Sequence, residues 1–93
     1  MIDDDTKGLI RTLIYQVQFE KDPKDGIERV IKLVIQDKTV GVSQEKYIAA
    51  IKSALISTEE LHTLIPQPHS ESTIRDYLRE LEAKLAVNSD YRQ

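Results

Sequence analysis

The side chains best suited to chemistry in this sequence are two histidines, His62 and His69, and two pairs of carboxylates, Glu59 with Glu60 and Asp76 with Glu80. A zinc pair wants both imidazoles on one helical face, commonly four residues apart, with a third ligand nearby. His62 and His69 are seven apart with Pro66 and Pro68 between them, so they read as surface or loop histidines and no metal is expected. Either carboxylate pair could supply an acid and a base, but only in a cleft that splits their pKa values. Nothing in the pattern points to a cleft, and capping or solvated positions are expected instead. The three glycines form no phosphate loop, and the chain has no cysteine to serve as nucleophile, zinc ligand or disulfide partner. The chain is therefore expected to hold no cofactor, to catalyse nothing and to act through its surface.

With 93 residues, 40% hydrophobic and 31% charged, the chain is long enough for one core, and a single domain over 1–93 is expected. Thirteen basic residues against sixteen acidic ones give a net charge of -3, which disfavours nucleic acid and suits a basic partner. No apolar run approaches the ~18 residues of a membrane span. The start Met1-Ile2-Asp3-Asp4-Asp5 is the reverse of a basic signal peptide, and with the lack of cysteine it predicts a soluble, cytoplasmic protein.

The most apolar stretch is Gly26 to Gln36. At 100° per residue, Ile27, Val30, Ile31, Leu33, Val34 and Ile35 sweep roughly 200°, against ~100° for an ordinary surface helix. It predicts a central helix reaching about Asp37, although its Val and Ile content also suits a strand that Lys38-Thr39-Val40 could extend. Before it, Asp3-Asp4-Asp5-Thr6 caps a helix from Lys7 to about Glu20, with Leu9, Ile10, Leu13, Ile14 and Val17 inward and Tyr15 and Phe19 on the other side. The alternating Tyr15 to Phe19 makes a short strand the competing reading. Asp22 and Pro23 should cap and open the second helix.

After the apolar stretch, Gly41 interrupts and Ser43 caps a third helix from Gln44 to about Ile56. Tyr47, Ile48, Ile51, Ala54 and Leu55 face inward, and Glu45, Lys46, Lys52 and Ser53 outward. Ser57-Thr58-Glu59-Glu60 has capping-box form and predicts a short helix through Leu64 or Ile65. Pro66 and Pro68 give an extended link, and Ser70 caps a last helix from Glu71 to about Val87. Its stripe is Ile74, Tyr77, Leu78, Leu81 and Leu85, with Glu80 and Lys84 as an i,i+4 pair. A frayed tail is expected over 88–93. The expected fold is all-α: a bundle of four main helices plus one short helix.

Two resemblances bear on function. Gly41-Val42-Ser43-Gln44-Glu45-Lys46-Tyr47-Ile48 looks like the turn and recognition-helix start of helix-turn-helix DNA-binding regulators, which would place Gln44, Glu45, Lys46 and Lys52 in the groove. Asp37 stands where that family usually has a small residue, and the helix offers no arginine. The stretch Asp37 to Tyr47, followed by Thr58-Glu59-Glu60-Leu61, resembles the small helical immunity proteins of contact-dependent growth inhibition and colicin-like toxin systems. That resemblance implies a protein that neutralises a cognate nuclease toxin by covering its active or substrate-binding site. A nuclease is basic where it meets phosphates, so Asp22, Asp25, Glu59, Glu60, Asp76 and Glu80 are the expected steering acids, and Tyr15 and Phe19 the anchors. The immunity protein is the leading expectation and the regulator the alternative.

Overall fold

Asp3 has extended backbone, and its carboxylate accepts the Thr6 N–H over 2.8 Å, which starts α1 (Asp4–Tyr15) inside the acidic run. In this computed structural model, which describes residues 2–36 and 44–91, α1 ends at Tyr15 rather than near Glu20. The Val17 N–H turns back to the Ile14 carbonyl and the Glu20 N–H to the Val17 carbonyl, both at 3.0 Å, in three-residue turns that replace the α ladder. Arg29 fixes this ending from a distance. Its guanidinium donates to the Gln16 carbonyl and lies 3.2 Å from the Glu20 carboxylate. The tightened turn carries Val17 to full burial and turns Phe19 outward. The alternating segment is thus a turn, and no strand occurs among the described residues.

Asp22 accepts the Lys24 N–H at 3.1 Å and Pro23 takes the first helical position, as expected, but they open a 3₁₀ turn (Pro23–Gly26) that feeds α2 (Ile27–Gln36). A side chain at Gly26 would put its Cβ 2.7 Å from Val17 Cγ1, so glycine is what allows this turn to close on the end of α1.

The expectation that α2 is the centre of the bundle fails. Ile27, Val30, Ile31 and Val34 are buried, whereas Leu33 and Ile35 are half-buried. α2 leans on α4 and the 3₁₀ turn and only grazes α3 (Gln44–Ile56); α3 packs along both α1 and α4 (Glu71–Tyr91). Length explains the exchange of roles. At about 1.5 Å per residue the 21-residue α4 is roughly twice as long as the 10-residue α2, and packs on α3, α2 and the 3₁₀ turn. Ile74, Tyr77, Leu78, Leu81 and Leu85 are all fully buried there. The Tyr77 hydroxyl donates to the Leu13 carbonyl at 2.8 Å, and burial pushes its pKa well above the usual phenol range.

α3 has the expected bounds. Ala50 and Ala54 are buried in its interface while Ala49 faces out. Expectations for Asp37 to Ser43, including the strand extension, the Gly41 break and the Ser43 cap, lie outside the described residues.

The short helix expected after α3 does not form, because its capping groups are engaged elsewhere. The Ser57 hydroxyl donates back to the Ala54 carbonyl at 2.8 Å, Glu59 accepts the Ile2 N–H at 2.6 Å, and the N–H groups of Leu61 and His62 go to Glu71. One turn from Leu61 to Leu64 remains, ahead of Pro66. Ser70 caps α4 as expected, accepting the Thr73 N–H at 3.3 Å. The helix then runs on to Tyr91, past the Val87 expected as its end.

Candidate partner-binding surface

The tight turn that ends α1 presents Phe19 to solvent with 93% of its surface exposed, and Tyr15, the last residue of α1, is 61% exposed. Phe19 borders an open hollow of about 500 Å³ together with Lys21, Pro66, Pro68 and His69. The far rim of this hollow is fixed. The Gln67 amide donates to the His62 and His69 carbonyls at 2.8 and 3.1 Å and accepts the His69 N–H at 2.8 Å. His69 Nε2 stands 3.3 Å from the Val17 carbonyl, tying the proline link to the turn behind Phe19.

Lys21 also borders a second hollow, shared with Asp22, Lys24, Thr73 and Asp76. The fold therefore brings Phe19, Asp22 and Asp76 to one region. Asp22 is engaged as the cap of the 3₁₀ turn, and Asp76 is paired with Arg79 at 2.8 Å. Tyr15 and Asp25 are exposed but line neither hollow, and Glu80 is half-buried one turn further along α4.

Glu59 and Glu60 belong to a different place. Glu59 holds the Ile2 N–H and lies 3.8 Å from Lys7, beside the start of α1. Phe19 follows the other end of that helix, about 18 Å away along its axis. The eight expected contact residues thus do not form one patch.

Between these regions lies a polar junction that the sequence reading missed. Glu71, at the first position of α4, accepts the N–H groups of Leu61 and His62 at 2.7 and 2.9 Å, His62 Nδ1 at 2.8 Å and Arg75 Nε at 2.6 Å. Partial burial alone would raise the Glu71 pKa, but the hydrogen bonds from His62, Arg75 and Leu61 outweigh it and hold the carboxyl at about 2. An ionised carboxylate only accepts, so His62 carries its proton on Nδ1 and points Nε2 outward, 3.9 Å from Glu60. Arg75 donates from Nη1 to the carbonyl of Leu55 and from Nη2 to those of Ser57 and Glu59, at 3.1, 3.0 and 2.9 Å, closing the C-terminus of α3. A carboxyl held this low neither gives nor takes a proton at neutral pH, so the junction is suited to holding structure. The i,i+4 spacing of Glu71 and Arg75 was a visible signal, but the carbonyls it serves were not.

No family model, curated protein or solved structure matches the chain. What it does has to be inferred from its own surface. Among the described residues no three histidines or acids converge to hold a metal ion, and no helix is long and apolar enough to cross a membrane. Of the side chains expected in a DNA groove, Gln44 is buried and donates to the Leu85 carbonyl at 2.7 Å, while Glu45, Lys46 and Lys52 are exposed. The sequence reading also passed over Ile56, 86% exposed at the end of α3. Its position was legible, since Ile56 falls three and four residues after the outward-facing Ser53 and Lys52.

Proposed function

We propose that the chain is a binding protein rather than an enzyme, an inhibitor of the immunity type that works in the cytoplasm and covers the active or substrate-binding surface of a cognate toxin domain, a basic nuclease. One observation supports this reading above the others: an almost fully exposed Phe19 stands across an open hollow from a rim held by Gln67 and His69. Leaving a phenylalanine in water forgoes about 1.5–3 kcal/mol of burial, which a partner recovers by closing over it. A pre-set rim reduces the ordering cost of that step. Aromatic side chains in such positions supply a disproportionate share of interface energy. The acids Asp22 and Asp76 line the neighbouring hollow, which meets the Phe19 hollow at Lys21, and a net charge of -3 favours encounter with a basic surface.

The alternative regulator is less well supported, because the buried Gln44 is committed to Leu85 and cannot also read a base. The reading expects a toxin gene immediately upstream, and co-expression with its toxin domain should yield a 1:1 complex in which the toxin is silent. Failure to form that complex, together with DNA binding at physiological salt, would reject the inhibitor and favour the regulator.

A further inference from the structure

Ile56 closes α3 with its side chain in water, although Tyr47, Ala50, Ile51 and Ala54 already give that helix its inward face. It shares an open hollow with Ile2, Asp3, Thr6, Ser53 and Ser57. Around this hollow, Asp3, Asp4 and Asp5 at the start of α1 join Glu59 and Glu60 beyond α3, and the lysines at the same end are Lys7 and Lys52. Arg75 and Glu71 cancel one another in the junction below. Five acids against two lysines leave this end with an excess of negative charge. Hydrogen bonds from the Thr6 hydroxyl and N–H hold the Asp3 carboxyl below its ordinary range, keeping it charged.

An apolar side chain set among carboxylates complements a cationic amphipathic helix, whose lysine or arginine stems cover the apolar group while their heads meet the acids. Phosphate-bearing partners are repelled by the same rim. We propose that the Ile56 hollow docks a lysine- or arginine-rich helical segment of a partner protein, with Ile56 as the anchor and Asp3, Asp4, Asp5 and Glu60 as the charged rim. The inference rests on reading the chain as a binding protein, but it does not use the Phe19 surface at the other end of α1.

The test is titration of the ¹⁵N-labelled full chain with an amphipathic leucine-lysine helical peptide of about 14 residues, a length at which such a helix can form. A control peptide carries glutamate for every lysine. Amide shifts should concentrate at Ile2 to Lys7 and Ser53 to Glu60 with the lysine peptide, fade with added salt, and be absent with the control. Ile56→Ser should weaken binding about tenfold, with the unfolding midpoint unchanged because the side chain packs on little. Shifts centred on Phe19 and Pro66 to His69, or indifference to Ile56→Ser, would overturn the proposal. So would a dimer of the chain alone that Ile56→Ser dissociates, since a second copy would then occupy the hollow.

The toxin complex separates this inference from the function proposed above. If the lysine peptide leaves the Ile56 hollow unshifted while Ile56→Ser captures the toxin with wild-type affinity, the hollow is not the dock and the inhibitor reading stands. If the peptide docks at Ile56 but no toxin is captured, the inhibitor reading falls and the dock stands.

Discussion

The junction around Glu71 and the turn around Phe19 lie at the two ends of the irregular segment between α3 and α4, and they treat their side chains in opposite ways. At the junction, one carboxylate and one guanidinium satisfy two N–H groups and three carbonyls that the loop after α3 would otherwise leave without helical partners. Polar groups there turn inward and are saturated. At the turn, the backbone closes on Arg29 and Gly26 and a large apolar side chain is left outside. A domain of this size has few polar contacts available to pin irregular backbone. The Phe19 side chain itself takes no part in holding the fold, so substitutions at the junction should cost stability and removal of the Phe19 side chain should cost recognition.

The sharpest way to break that division is Arg75→Ala. Three carbonyls and the Glu71 carboxylate lose a charged donor at once, and a loss of about 3 kcal/mol in unfolding free energy is expected from urea denaturation. A loss below about 1 kcal/mol would mean that water replaces the guanidinium without penalty.

Glu71 makes the same point through pH. Its carboxyl titrates at about 2 in the fold against an ordinary 4.5, so the folded-state value is depressed. The stabilisation is complete above pH 4.5 and drains away as pH falls toward 2, with a ceiling of about 3 kcal/mol. Urea midpoints at pH 6 and pH 3 should show this decline in the wild type and much less of it in Glu71→Gln.

Gly26→Ala is a smaller test of the turn. The added Cβ must displace Val17 Cγ1 from 2.7 Å, and a cost of about 1–3 kcal/mol is expected by thermal unfolding. Tyr77→Phe removes only the bond to the Leu13 carbonyl and should cost about 1 kcal/mol.

The parts of this fold that were legible in the sequence are those decided by neighbours. Asp22 with Pro23, Ser70 ahead of α4, the bounds of α3 and the inward stripe of α4 follow from side chains within a few residues of the backbone they act on. The errors share a different cause. α1 stops early because Arg29 binds the Gln16 carbonyl, and the capping box at Ser57 yields no helix because the Ser57 hydroxyl turns back to Ala54 and Glu71 takes the Leu61 and His62 N–H groups that the helix would have used. Both are side-chain bonds to distant backbone, which periodicity does not encode. The central role given to α2 failed for another reason: a wide apolar arc shows how much surface needs cover, but helix length decides which element provides it. For the candidate surface, the sequence placed Phe19 away from the α1 stripe, but it could not show that Glu59 and Glu60 stand a helix length away or that Ile56 stands with them.

The most direct test of the central claim is to measure Phe19→Ala twice, once for unfolding in urea and once for affinity toward the captured toxin domain. The account predicts an unfolding free energy within about 0.5 kcal/mol of wild type and an affinity loss of about 10- to 100-fold, carried mainly by faster dissociation. Unchanged affinity with a clear loss of stability would contradict it, because Phe19 would then hold the fold and leave recognition to another surface.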